Sequence, residues 1–337
     1  MSGIDLKHPK LFWGSDELPD QAAPVWWDSV AASSGGTAAA KPVGGGGGGG
    51  FVAPAYYIAG PGGTTLAGDA TAGFNIKIVF SGSGWTAAQV AVVEATAEKL
   101  CTIIVGDISD VTYNGQAIDD IVITVSQGRI DGLGSLSGNV LAQSAIQTYR
   151  DAGDIGTHTN EFALPVTASI KLDSSDLKNS GANMAPWDDV LLHEMIHVVG
   201  FYGPTFDLKV PTLLQKVGPD TTNWTPLFLG GHAAAALAGN SDYLTNPISA
   251  SSLLFGGVPL SLFDASHWDE INFSMTGAGA LLTVNGLTMQ QEIMTATFSS
   301  FGEVSWLSDV TVGALADLGY TVVDPSAGAS GWKVAIV

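Results

Sequence analysis

The stretch Pro186-Trp-Asp-Asp-Val-Leu-Leu-His-Glu-Met-Ile-His-Val-Val199, followed by Gly200, sets the reading of the whole chain. It reads as one helix. Asp188 and Asp189 fall in its first turn, where the helix dipole favours acids. Gly200 follows directly and can take the left-handed conformation that ends a helix. Val190, Leu191, Met195, Ile196, Val198 and Val199 leave the helix few polar positions, so it must be buried by other layers. Upstream, Asn75-Ile-Lys-Ile-Val-Phe80 alternates like a strand, and Ser81–Gly84 turns the chain. Between Thr86 and Val105, apolar residues recur at helical spacing (Val90, Val93, Ala97, Leu100, Ile104). Ile121–Val125 and Val166–Leu172 are further strands, and the Gly/Ser-rich segment from Asp131 to Ala142 is an edge or a loop. Strands alternating with helices predict an α/β half up to residue 200. Beyond Gly200 the pattern fades into loop until a helix at Ser308–Leu318, closed by Gly319. The expected fold is α/β or α+β, with an extension (1–50), an N-terminal part (51–200) and a C-terminal part (201–337).

Composition removes several functions. Twelve Lys+Arg against 32 Asp+Glu give a formal net charge of −20, and the only arginines are Arg129 and Arg150. Such a polyanion is a poor partner for nucleic acid or anionic lipid. No apolar run reaches the roughly 18 residues of a membrane span, so none is expected. Cys101 is the single cysteine, which excludes an internal disulfide framework. Seven consecutive glycines, Gly44–Gly50, end the extension and predict a flexible tether, or the tail of a propeptide. The N-terminus lacks the apolar core and cleavage site of a standard secretory signal. The acidic, Gly-rich, Cys-poor chain, with its short apolar ending Trp332–Val337, nevertheless fits an exported protein, and an extracellular location is the expectation.

Within the central helix, His193-Glu194-Met195-Ile196-His197 carries chemistry. Two histidines four residues apart lie one turn apart on one helix face and can hold the same zinc ion. Glu194 adjoins that face, placed to act as a general base toward a zinc-bound water without being a ligand. At this chain's His and Glu content the pattern arises by chance about three times in a thousand such chains, so two core histidines beside a stray acid is the weaker explanation. A catalytic zinc commonly has three protein ligands. After Gly200 the histidines are His232, in a small-residue helix start, and His267, in Ala265-Ser-His-Trp-Asp-Glu270. Asp269 and Glu270 are weaker alternatives.

HExxH followed by Gly200 resembles the metzincin pattern, but Gly203 stands where the compact motif has its third histidine. With His267-Trp268, then Glu292-Ile-Met-Thr295, then Ala314-Leu-Ala-Asp-Leu-Gly-Tyr320, the chain resembles the leishmanolysin family of metzincins over roughly residues 75–322. The resemblance implies a metzincin-type fold: an N-terminal twisted sheet with the motif helix, and a largely irregular C-terminal subdomain. It implies His267 as third ligand beyond an insertion of about Phe201–Ser266, and Met294 as the apolar floor of a Met-turn. It further implies one catalytic Zn2+ and protein or peptide substrates, extended along an edge strand within residues 131–172. The rival expectations are an inactive binding protein on the same scaffold, or a zinc hydrolase of a non-peptide amide. Asp151, Asp154, Asp173 and Asp176 offer oxygens for calcium, though in no 12-residue loop pattern. The Asp119–Asp120 and Asp188–Asp189 pairs read as solvated faces or a helix start.

Overall fold

The computed structural model describes residues 51–61, 73–132, 140–180, 184–217, 225–238, 257–261, 264–269, 283–284, 287–288, 292–296 and 305–323. The extension 1–50 and Glu270 lie outside them. A five-stranded sheet forms the N-terminal half, from β1 (Tyr56–Ala59), β2 (Ile76–Ser81), β5 (Ile121–Gly128), β6 (Ala142–Tyr149) and β7 (Pro165–Asp173). Its order is β1-β2-β5-β7-β6. Strands β2, β5 and β7 are parallel, whereas the flanking β1 and β6 run antiparallel to their neighbours. The sheet is therefore mixed, parallel at its centre and antiparallel at both outer strands, and the fold is α+β.

Alternation along the strands divides the apolar side chains between two faces. Ile76, Ile78 and Phe80 of β2, with Ile121, Ile123 and Val125 of β5, face the main core. Val79, Val122 and Val166 face the other way, where they meet Val111 and Ile118 of the hairpin β3 (Val111–Tyr113) and β4 (Gln116–Ile118). On the main-core side lie helix α1 (Ala87–Ile103), against β1 and β2, and helix α3 (Ala185–Val198), against β6 and β7; the two helices also touch each other. Thr86 starts α1 with a reciprocal capping box: its hydroxyl accepts from the Gln89 N–H while Gln89 accepts from the Thr86 N–H. Cys101 is buried within α1 and behaves as a small apolar filler.

Short helix α2 (Ser174–Ser180) leads from β7 toward α3. In α3, Trp187, Val190, Leu191, Met195, Ile196 and Val198 are all fully buried, as is Val199 at its C-cap. Asp189 is buried as well, as is Asp120, so neither pair is wholly a solvated face. Asp120 is retained because its carboxylate accepts from the Asn75 and Ile108 N–H groups.

The chain after Gly200 holds more regular structure than its sequence suggests. Helix α4 (Gly203–Leu208) is followed by the sheet β8 (Leu214–Val217), β9 (Thr225–Phe228) and β10 (Val258–Pro259), and by helix α5 (Gly231–Ala238). Two-residue strands β11 (Thr283–Val284) and β12 (Leu287–Thr288) pair as a small ladder. Helix α6 (Asp309–Leu318) packs on α5, with Gly313 lying where a Cβ would come within 2.8 Å of the Ala233 nitrogen. Phe201, Phe206, Phe228 and Trp268 form an aromatic cluster, mostly edge-to-face with the Phe201–Phe228 pair tilted, with ring centroids 4.8–6.5 Å apart, joining the segment after α3 to β9 and to residue 268.

Candidate metal centre

Helix α3 delivers two imidazoles and a loop delivers the third. The Nε2 atoms of His193, His197 and His267 lie 3.0, 3.1 and 3.3 Å apart, and all three residues are buried. Nitrogens about 2.0–2.1 Å from one tetrahedral ion sit roughly 3.3 Å from each other, so this triangle fits a single first-row metal ion. Each outer nitrogen has its own acceptor. His193 Nδ1 donates to the Ile293 carbonyl at 2.5 Å, His197 Nδ1 to the Phe201 carbonyl at 2.7 Å, and His267 Nδ1 to the Asp264 carboxylate at 2.7 Å. Those bonds leave the three Nε2 lone pairs converging on one point. Burial, reinforced by the neighbouring imidazoles, holds His193 and His197 well below the usual histidine range, which keeps them in the neutral form that ligates.

Local sequence explains the two helical ligands. Four residues of α-helix carry His193 to His197 on one face. The helix then ends abruptly: Gly200 has φ of +111°, its N–H donates to the His197 carbonyl, and the Phe201 N–H donates to the Ile196 carbonyl. That reversal returns the Phe201 carbonyl to His197.

The loop ligand is held by tertiary bonds. Asp264 accepts from the Ser266 N–H at 2.8 Å, and Ser266 Oγ accepts from the Gly203 N–H at 3.0 Å. Trp268 donates through its N–H to the Met294 carbonyl and through Nε1 to Thr311. Met294 is fully buried in a turn whose neighbour, Ile293, supplies the acceptor for His193. Beneath that turn, the buried Glu292 carboxylate accepts from the Met294 N–H, from Ser308 N–H and Oγ, and from Thr311 Oγ1. Burial opposes the charge on Asp264, but His267 and the Ser266 N–H outweigh it and keep the carboxyl below its usual range.

Glu194 points from the same helix, 1% exposed, with Oε1 unpartnered. Burial pushes its carboxyl up to about 8, opposed by a hydrogen bond from Ser144 of β6. Strand β6 is an outer strand of the sheet and packs against α3. The arrangement can therefore hold a metal ion, with the buried Glu194 carboxyl beside it.

Other sequence candidates fall elsewhere. His232 lies at the start of α5, largely exposed, where its Nδ1 and N–H both contact Asp317 of α6; it is a helix-end residue away from the triad. Asp269 is buried but not in the triad. The proposed calcium quartet splits: Asp151 and Asp154 close an exposed turn on each other's backbone, while Asp173 and Asp176 gather with Asp131. Sequence reasoning missed Asp264 and Ser144. An acid three residues before a ligand histidine was the available signal for the first. Ser144 had none, because Ala142-Gln-Ser-Ala-Ile-Gln-Thr-Tyr149 lacks the run of large β-formers that marks a strand. The chain matches no protein-family model and no curated protein.

Proposed function

We propose that this protein is a zinc-dependent endopeptidase of the leishmanolysin-like metzincin kind. The observation that carries the reading is the buried triangle of His193, His197 and His267 Nε2 atoms with Glu194 adjacent on the same helix. The three imidazoles would hold the ion. When bound, zinc supplies a Lewis acid that polarises a substrate carbonyl and lowers the pKa of water. Glu194 then takes a proton from the attacking water and delivers it to the leaving amine. The Ser144 hydroxyl orients the carboxylate. Strand β6 offers an outer edge on which an extended peptide adds as a further strand, its main-chain groups satisfied by pairing. That geometry favours a polypeptide substrate over a small amide. Extracellular action fits the same reading.

Zinc content and casein cleavage, measured for the native chain and for Glu194→Gln, test it. The native protein should carry one zinc and cleave, and the variant should keep the zinc while losing about 10²–10⁴-fold in rate, the usual worth of a positioned base. Zinc-loaded native protein that cleaves no polypeptide would overturn the proposal.

A further inference from the structure

A second group of ligating side chains gathers where β5 and β7 end. Asp131 follows β5, Asp173 ends β7 and Asp176 lies on α2, and one carboxylate oxygen of each falls within 4.8 Å of the others. Strand pairing brings them together, because Gly128 at the end of β5 lies opposite Asp173. Asp173 is fully buried and saturated: Oδ2 accepts from the Ile130 and Gly132 N–H groups, Oδ1 from Ser175 and Asp176. Those four bonds secure its charge at the corner where the loop after β5 meets the start of α2. The unused acceptors belong to the other two. Asp176 is 7% exposed and its Oδ2 is buried with no partner; Asp131 Oδ1 is likewise buried and unpartnered, while its Oδ2 accepts from the Val140 N–H.

Three carboxylates packed this closely need compensation. Among the described residues no lysine or arginine forms an ion pair with any of them. A buried anionic oxygen without a donor costs several kcal/mol unless it is protonated or bound by a cation. Burial, with the charges of Asp173 and Asp131, pushes the Asp176 carboxyl up to about 6.

We propose that Asp131 and Asp176, with Asp173 as the anchored central charge, bind a hard divalent cation, with calcium the best fit. The donors are oxygens only, which disfavours zinc and copper. Two of the three segments are a loop and a short helix, which suits the flexible six- to eight-oxygen shell of calcium better than rigid octahedral magnesium, waters completing the coordination. The site shares no residue with the histidine centre. Its bound ion would fix the entry to β6, where the Leu141 carbonyl accepts from the Asp173 N–H, three residues before Ser144.

The test keeps the full chain saturated with zinc in every arm and titrates calcium chloride to about 10 mM, above the weakest extracellular calcium modules. Calorimetry should give one molar equivalent of calcium, and the melting temperature should rise by several degrees. Asp176→Asn and Asp131→Asn should each weaken calcium binding about tenfold or more. In calcium-free buffer Asp176→Asn should melt no lower than the native chain, because it removes a like charge. Magnesium should bind more weakly. Absence of calcium uptake by the native chain overturns the proposal, as does an undiminished response in both variants. Should Asp176→Asn fail to fold, Asp131→Asn decides alone, since it alters a loop oxygen and leaves the helix intact.

Discussion

Helix α3 and the segment 264–269 supply the same kind of atom to the same point by different means. In α3 the backbone does the positioning: 3.6 residues per turn align His193 with His197, and burial of their neighbours immobilises the helix. His267 has no such periodicity behind it. Its imidazole is aimed by Asp264, its backbone is held through Ser266 to Gly203, and Trp268 fastens the segment to Met294 and Thr311. A helical ligand pair is robust because each position is determined by many backbone bonds. A loop ligand is only as well placed as the few side chains around it.

Substitutions break or sharpen that contrast. The largest effect is expected at the ligands. His197→Ala and His267→Ala should each lower zinc affinity by more than the roughly 10–100-fold that losing an outer partner costs. Competition with a chromogenic chelator measures both; unchanged affinity in His267→Ala would show that the loop does not complete the site. Asp264→Asn comes next, with affinity falling about 10–100-fold by the same assay. No corresponding side-chain substitution exists for His193 or His197, whose outer partners are the carbonyls of Ile293 and Phe201.

Gly200→Ala should act on the helical side. Its φ of +111° is strained for any residue with a Cβ, although the space around it is adequate, so the cost is conformational, about 1–3 kcal/mol. Thermal melting should fall by several degrees, and zinc affinity should fall less than in Asp264→Asn. His232→Ala is the smallest. Its side chain is largely exposed, and the backbone bonds from residues 232 and 233 to Asp317 remain, so stability should change by about 0.5 kcal/mol or less with zinc affinity unaltered.

The same contrast explains what the sequence revealed. Elements with a strong local period were legible: α1 from Val90, Val93, Ala97 and Leu100, β2 and β5 from their alternation, and α3 with its two histidines. Strand β6 was not, because its side chains are small or polar and its place is set by pairing with β7. Helix α4 and the β8–β10 sheet were hidden for a related reason: they are short and stabilised by contacts such as the Phe201–Phe206–Phe228 cluster. The acids show the limit most clearly. Asp173 and Asp176 attracted notice, but their companion is Asp131, about forty residues earlier, reached only through the parallel pairing of β5 with β7. Asp151 and Asp154, nearer in sequence, fold into a separate turn.

One buried carboxylate has a consequence for how the molecule is made. Glu292 joins the turn at Met294 to Ser308 and Thr311 at the start of α6, and Thr311 in turn receives Trp268, the neighbour of the third histidine. During synthesis, the HExxH helix and its sheet leave the ribosome more than a hundred residues before those contacts can form. Until α6 emerges, Glu292 lacks its Ser308 and Thr311 donors, and the support behind His267 is incomplete. The nascent chain thus carries two aligned histidines without their finished counterpart, and residues 292–311, translated after all three histidines, complete the support of the third.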